Sequence, residues 1–128
     1  MNRQTTYRLE ALVELAHAHP ESVPVAELAA RRRIPRAFLA RLLTELARTG
    51  VVVTQRGPAG GVALARPPAG VSVAAILPGE GAPAAGGPAV QRVAAALEEA
   101  RRQALTPLTL AALAEEERRA ESIADFSI

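Results

Sequence analysis

The chain has 128 residues, a hydrophobic fraction of 49% and a formal net charge of +2, and it contains no cysteine and no lysine. This length fits one domain with an appended element, and the hydrophobic fraction is enough to build a core. The absent residue types exclude disulfides, thiolate zinc sites, Cys-ligated iron–sulphur clusters, a cysteine nucleophile, Schiff-base lysines and a P-loop.

The net charge conceals an asymmetry between the two halves of the chain. Residues 1–66 carry ten Arg and five Glu, a net charge of +5, whereas residues 67–128 carry five Arg, seven Glu and one Asp, a net charge of −3. A basic half is the one expected to meet a polyanion, although a GC-rich genome also favours arginine codons. No apolar run approaches the roughly 20 residues that span a bilayer, and no signal peptide is apparent, so a cytoplasmic protein without membrane contact is expected.

Apolar periodicity predicts two helices in the first third of the chain, and the dominance of Ala, Leu and Val favours a mainly α fold. The first helix is predicted from Thr5 or Thr6 to His17, with Arg8, Glu10 and Glu14 outside. The second, shorter helix is predicted over residues 26–32.

Three consecutive arginines, Arg31 to Arg33, close the second helix. Cations in a last turn complement the helix dipole, which is one interpretation of the run. The other is contact with DNA phosphates, because the helix before a recognition helix crosses the DNA backbone. Both interpretations stay open at the level of sequence.

A third helix is predicted to start with Pro35 in its first turn and to end before Gly50. An apolar stripe packs it on the other helices; it comprises Phe38, Leu39, Leu42, Leu43 and Leu46. The opposite face carries cations separated by small residues, which suits a major groove about 12 Å wide, although an ordinary solvated face would look the same. That face comprises Arg36, Ala37, Ala40, Arg41, Thr44 and Arg48.

A β-hairpin is predicted directly after the third helix, with strands at residues 51–53 and 62–64. Three glycines and one proline in five residues specify a tight tip. Arg56, beside Gly57, therefore projects from a rigid hairpin. Such an arginine suits a narrow minor groove of DNA, where the negative potential is greatest. The alternative is an arginine that simply lies in solvent at the tip of a hairpin. The order of elements predicts a winged helix-turn-helix: mainly α, with a two-stranded β wing and a C-terminal helix.

The remainder of the chain is predicted to hold a linker and two helical segments. Residues 77–88 are rich in Pro, Gly and Ala, which is typical of a linker. Residues 89–105 are predicted to form a helix, because apolar side chains recur there at helical spacing. Thr106 is expected to cap a new start at Pro107, and residues 115–121 to be a solvated helix end before a loosely ordered terminus.

These segments, in this order, resemble the Rrf2 type of bacterial winged-helix regulators (IscR/NsrR/CymR-like). The similar stretches are residues 7–16, 34–39, 56–61, 64–68 and 71–73, within about 75 residues of the N-terminal half. The resemblance implies a homodimer that binds a palindromic operator in double-stranded DNA and usually represses transcription. It also implies a DNA-binding domain over 1–76, a linker over 77–88 in place of a cysteine loop, and a dimerisation helix with a helical tail over 89–128.

The resemblance assigns roles to individual residues as well. The start of the third helix would enter the major groove through Pro35, Arg36, Ala37, Ala40 and Arg41, with Thr44 on the same face. The wing would enter the minor groove at Arg56 and Gly57. Phosphates would lie near Arg3, Thr6 and Tyr7. The dimerisation helix would cross its mate through Val90, Val93, Leu97 and Ala104.

The chain also departs from the family pattern. Members often carry an acidic or amide residue at the position of Ala40, an amide at that of Arg41 and an aromatic residue at that of Val62, so a different operator is expected. Residues 77–88 contain neither Cys nor His, so no Cys-ligated cluster and no cofactor is expected. What controls the protein stays open at the level of sequence: it is a small-molecule effector, a partner protein, or no effector at all.

Other functional classes have weaker support in the sequence. His17 and His19 point to different sides of a helix and make a poor metal-binding pair. No serine lies in a nucleophile-elbow context, so an enzyme is not expected. The main alternative is a winged helix that docks a partner protein; the arginines of the third helix and wing oppose it, although an acidic protein would also attract them.

Overall fold

The computed structural model describes residues 1–58, 60–79, 81–83 and 85–126. Its elements in chain order are α1 (Arg3–Ala18), α2 (Val25–Arg32), α3 (Arg36–Arg48), β1 (Val52–Gln55), β2 (Gly61–Leu64), a 3₁₀ turn (Pro68–Gly70), α4 (Val73–Ile76), α5 (Pro88–Leu105) and α6 (Leu110–Phe126). The mainly α winged helix-turn-helix with a two-stranded wing is confirmed. Single positions of the predicted wing turn and linker (59, 80 and 84) and the last two residues lie outside the described residues.

One hydrophobic core joins the three N-terminal helices, the wing and the C-terminal helix. Leu12 and Leu15 of α1, Leu39 of α3 and Val62 of β2 are fully buried in it. Leu110 at the start of α6 is also fully buried in this core, and α6 packs along α1. Because a fully buried leucine stabilises a fold by about 1.5 to 3 kcal/mol, α6 contributes to the stability of the winged helix.

The helix boundaries differ slightly from those predicted. α1 begins at Arg3 rather than at Thr5 or Thr6, because the side-chain oxygen of Asn2 accepts a hydrogen bond from the Thr5 amide at 2.8 Å and caps the helix. α2 begins one residue early, at Val25, and Pro35 directly precedes α3 rather than lying in its first turn. None of these shifts moves an apolar side chain out of the core.

Arg8 contradicts the prediction that it points outward, because only 5% of it is exposed. It lies four and seven residues before Leu12 and Leu15 and therefore shares their buried face. Its guanidinium donates a hydrogen bond to Glu45 of α3 at 3.2 Å. The long apolar stem explains how an arginine occupies this position: the stem packs inside while the charge is paired.

The wing is an antiparallel hairpin with Val52 opposite Leu64 and Gln55 opposite Gly61. Val23, in the connection between α1 and α2, exchanges two backbone hydrogen bonds with Val62, at 2.8 and 2.9 Å. Gly61 is required there, since a Cβ atom would lie 2.3 Å from the Val23 carbonyl oxygen. The base of the wing is therefore fixed to the helical body.

The C-terminal part contains one wrong capping prediction. Thr106 ends α5, and its hydroxyl donates to the carbonyl of Arg102 at 2.6 Å. The next helix starts at Leu110, where the Thr109 hydroxyl accepts a hydrogen bond from the Ala112 amide at 3.1 Å. Thr106 and Thr109 are both followed by residues that could start a helix. The helix starts after Thr109, where Leu110 is buried in the core. Across the described ranges, no helix combines the length and apolarity needed to cross a membrane.

Candidate nucleic-acid interface

The exposed face of α3 is continuous and carries the residues expected to meet DNA. Leu39, Leu42, Leu43 and Leu46 are buried, which fixes the rotation of the helix. Its other face consists of exposed residues; they are Arg36, Ala37, Ala40, Arg41, Thr44 and Arg48, with Pro35 exposed just before them. The Thr44 hydroxyl donates to the Ala40 carbonyl at 2.9 Å, which leaves its oxygen as an acceptor and its methyl group for an outside contact. The face is narrow and basic, as a groove-binding helix requires.

Two contacts hold α3 against α1. The Tyr7 ring meets the Phe38 ring edge to face, with centroids 5.1 Å apart and an interplanar angle of 69°. The ion pair between Arg8 and Glu45 ties the two helices again, closer to the end of α3. The start of α1, with Arg3, Thr6 and Tyr7, therefore lies beside the start of α3.

The residues at the start of α1 differ in what they can still bind. Arg3 is exposed and has no partner among the described residues. Thr6 is half-buried, and its hydroxyl donates to the Asn2 carbonyl at 3.0 Å. Tyr7 is also half-buried, but its hydroxyl makes no hydrogen bond within the described chain. Arg3 and Tyr7 are thus the donors available here to a ligand.

Arg56 stands at the exposed end of the wing. Gly57 next to it has a φ of +103°, a conformation that L side chains rarely adopt. Gly60 has no room for a Cβ atom, which would lie 2.3 Å from the Gln55 carbonyl oxygen. Arg56 is exposed and makes no contact with a charged partner in the described part of the chain. The tight turn at the tip therefore requires glycine at these two positions, and it presents an unpaired guanidinium at Arg56.

Ion pairing divides the fifteen arginines into two groups. Seven form ion pairs with carboxylates within the described chain: Arg8, Arg31, Arg32, Arg101, Arg102, Arg118 and Arg119. The other eight have no such partner among the described residues: Arg3, Arg33, Arg36, Arg41, Arg48, Arg56, Arg66 and Arg92. Seven of these eight lie in residues 1–66. The free positive charge is therefore concentrated on the winged helix, where a polyanion would be attracted.

The run of three arginines after α2 is split by its contacts. Arg31 pairs with Glu27 and with Glu14. The hydrogen bond to Glu27, and to a smaller extent that to Glu14, raises the pKa of Arg31. Arg32 pairs with Glu117, Glu10 and Glu14. These hydrogen bonds, chiefly the one to Glu117, raise the pKa of Arg32 well above its usual range. Both guanidiniums are thus already paired with carboxylates, whereas Arg33 is exposed and forms no ion pair among the described residues.

Glu117 on α6 contradicts the expectation of a plainly solvated helix end. Its carboxylate accepts hydrogen bonds from Arg32, and Nε2 of His17 lies 2.8 Å from it. The bonds from Arg32, more than those of His17, lower the pKa of Glu117 to about 2. The pair of Arg32 and Glu117 is hard to predict from the sequence, because the two residues are 85 positions apart. Nothing in the sequence distinguishes Glu117 from the other glutamates near it.

α5 leaves an apolar face uncovered. No residue of this helix is buried, and the exposed fractions are 50% for Val90, 59% for Val93 and 67% for Leu97. Ala104 is exposed as well. The helix contacts the rest of the chain through Arg101, whose guanidinium donates to the Leu77 carbonyl, and through Leu105, which packs against the core. Large apolar side chains exposed in a row mark a contact surface.

A cleft of about 650 Å³ lies between the start of α1 and α5. Its lining is mixed, with apolar Leu77 and Leu97 beside charged Glu98 and Arg101. As for metals, the described residues bring no three His, Asp or Glu side chains together. The chain has no cysteine, so a cluster held by thiolates does not fit it.

Comparison with known proteins identifies relatives across most of the chain. The family model described as "Rrf2: Iron-dependent Transcriptional regulator" matches residues 1–116. A putative HTH-type transcriptional regulator of Aquifex aeolicus is 41% identical over 71 residues, which are 56% of this chain and 49% of that protein. The chain spans about half the length of the curated relatives it matches.

Solved structures show the same fold. The structure of T. potens IscR covers 94% of this chain and 89% of its own, with a TM-score of 0.78 and 25% identity. The structure of CymR, the global cysteine regulator of B. subtilis, covers 91% of this chain and 96% of its own, with a TM-score of 0.75 and 23% identity. The agreement extends over α5 and α6, beyond the winged helix.

Proposed function

We propose that this chain, which belongs to the Rrf2 family of transcriptional regulators, binds a palindromic operator in double-stranded DNA as a homodimer and represses transcription. The observation that carries the proposal is the concentration of unpaired arginines on the winged helix. A folded protein that leaves seven of its eight arginines unpaired within the described chain on this one domain retains charge there for phosphates and base edges.

The proposed contacts follow the geometry of the site. The start of α3 enters the major groove with its exposed face, Pro35, Arg36, Ala37, Ala40, Arg41 and Thr44. Arg56, with Gly57 beside it, enters the adjacent minor groove from the wing, where negative potential is strongest over narrow A·T segments. Arg3, Thr6 and Tyr7 lie next to phosphates at the start of α1. The phosphate contacts position the protein, and α3 and Arg56 carry the specificity.

The proposed dimer forms through α5. Two copies related by a two-fold axis would cover the stripe of Val90, Val93, Leu97 and Ala104. The recognition helices would then enter successive major grooves about 34 Å apart. In this organisation residues 1–76 bind DNA and residues 77–88 link the DNA-binding domain to the dimerisation helix. Residues 89–128 form the dimer, and their last helix, α6, packs against α1.

The family description includes iron, and this chain's residues do not fit a Cys-ligated iron centre. Regulation is therefore proposed to act without such a cluster. The cleft between α1 and α5 is the proposed position of a small-molecule effector, because a ligand there would touch both the winged helix and the dimerisation helix. A partner protein that binds both α1 and α5 would likewise link the DNA-binding domain to the dimerisation helix.

The proposal is tested by selection of DNA from genomic fragments at physiological salt. The purified protein should enrich fragments that share a two-fold symmetric sequence, and transcription in vitro from a promoter carrying it should fall on addition of the protein. An Arg36→Glu, Arg41→Glu variant is the matched control and should enrich nothing. If the wild-type protein enriches no sequence but captures an acidic protein that the control variant does not, the winged helix docks a partner instead.

A further inference from the structure

Arg33 occupies a strained backbone conformation between α2 and α3. Its φ and ψ angles are 53° and 46°, and it is the one non-glycine residue with positive φ in the described part of the chain. It ends α2, and its amide donates to the Ala29 carbonyl. Helices commonly end in this left-handed conformation, but usually with glycine, because a Cβ atom crowds the backbone there. The backbone at this position thus favours glycine over arginine.

The turn itself is held by Ile34, whose amide donates to the Ala29 carbonyl at 2.9 Å and whose side chain is buried, but no ion pair within the described chain engages the Arg33 side chain. Arg33 is exposed and pairs with no carboxylate among the described residues. Its charge is not needed to complement the dipole of α2, since Arg31 and Arg32 already supply two cations in the last turn. The turn therefore accounts for the backbone conformation, whereas an unpaired arginine at a position that favours glycine is a reason to look for a role of this side chain outside the chain.

The surroundings of Arg33 indicate what it meets. It lines one cleft with Thr6 and Tyr7, two residues assigned to phosphates in the proposed complex. Glu10 and Glu14 line the same cleft, but both carboxylates are engaged by Arg32. Glu121 of α6 also lines it and forms no ion pair among the described residues. The free donors at the edge next to α3 are therefore the Arg33 guanidinium and the Tyr7 hydroxyl.

We propose that Arg33 binds a backbone phosphate of the DNA beside the major groove that α3 enters, and so fixes the register of the recognition helix. The inference rests on the proposed function. It predicts an unusual combination: replacing Arg33 by glycine relieves the backbone and weakens DNA binding at the same time. A side chain with only a structural role cannot give that combination.

The test compares wild type, Arg33→Gly and Arg33→Lys, with Arg92→Gln on α5 as a control that removes one unpaired arginine elsewhere. The melting temperature of Arg33→Gly should be equal to or above that of wild type. Its affinity should fall about equally for operator and for random duplexes, because a phosphate contact carries no sequence information. The slope of log affinity against log salt should become shallower by roughly 0.9 for each phosphate that the variant no longer neutralises, thus by about two for a dimer. Arg33→Lys should keep most of the slope.

Each outcome bears on a different claim. If wild type binds an operator and Arg33→Gly binds it with the same affinity and slope, the inference is wrong while the proposed function stands. A loss of affinity confined to the operator would show a base contact and overturn the phosphate assignment. If wild type shows no salt-dependent binding to DNA at all, the proposed function and the inference both fail.

Discussion

Arg32, in the last turn of α2, donates two hydrogen bonds to the carboxylate of Glu117 on α6, at 2.8 and 2.9 Å. This two-pronged geometry is the strong form of an arginine–carboxylate pair. It joins the helix that precedes the recognition helix to the helix that follows the proposed dimerisation helix. The pair therefore joins the C-terminal helix to the helix-turn-helix, and its part in stability can be tested.

Glu117→Gln should destabilise the protein. The substitution keeps the shape of the side chain but removes the charge that Arg32 and His17 face. Because 37% of the Glu117 side chain is exposed, solvent screening reduces the effect to roughly 1 to 2 kcal/mol. Denaturant unfolding of the variant should show a lower midpoint with an unchanged slope. Glu116→Gln, on the exposed neighbour, is the control; an equal loss of stability in both variants would remove the pair as the cause.

The same pair predicts how stability depends on acidity. The pKa of Glu117 falls from 4.5 to about 2 on folding, chiefly through Arg32. A carboxylate whose pKa is lowered by folding contributes stability above its unfolded pKa, and that contribution disappears as the pH falls through the folded value. The stability difference between wild type and Glu117→Gln should be constant above about pH 4.5 and shrink towards pH 2. A difference that grows on acidification would contradict this assignment.

Leu97→Glu should convert the protein to a monomer. The substitution places a charge in the exposed stripe of α5, and burial of an unpaired carboxylate between two copies is strongly unfavourable. Arg92→Glu puts the same side chain on the same helix but away from the stripe, and should remain dimeric. Sedimentation velocity separates the two results. We expect the monomer also to bind operator weakly, since one recognition helix then acts alone; a dimeric Leu97→Glu would exclude this interface.

Arg56→Ala should weaken operator binding by about 1 to 3 kcal/mol without changing the fold. The affected contact is sequence-dependent, so the variant should also discriminate less between A·T and G·C pairs at the position under the wing. Fluorescence anisotropy with matched duplexes at one salt concentration measures both effects. Arg92→Ala serves as the control for removal of an unpaired arginine. Equal operator affinity in wild type and Arg56→Ala would remove the wing from the mechanism.

The predictions that succeed from sequence rest on local signals. The apolar stripe of α3 determines which face of the helix is buried, so the exposed face with Arg36 and Arg41 is predictable from the sequence. The glycines of the wing likewise reflect local backbone geometry, and Gly61 indeed has no room for a side chain. Periodicity and turn chemistry are properties of neighbouring residues, which explains why these elements are predictable.

The predictions that fail depend on distant partners. The sequence favours a solvent-exposed Arg8, because its charge outweighs its place on the buried face; its partner Glu45 is 37 residues away. Arg31 and Arg32 look equivalent to Arg33 in the sequence, yet carboxylates on α1, α2 and α6 pair with two of the three. Ion pairing between remote elements has no periodic signature, so the structure alone distinguishes the free arginine from the paired ones.

The central claim is that this winged helix binds a specific DNA site as a dimer. The most direct measurement is hydroxyl-radical footprinting of the selected fragment across a salt series, with affinity measured at each step. We predict two protected half-sites about one helical turn apart, related by symmetry, and a steep fall in affinity with salt from many phosphate contacts. Uniform weak protection along the fragment, with no symmetric half-sites at any salt concentration, would contradict the account.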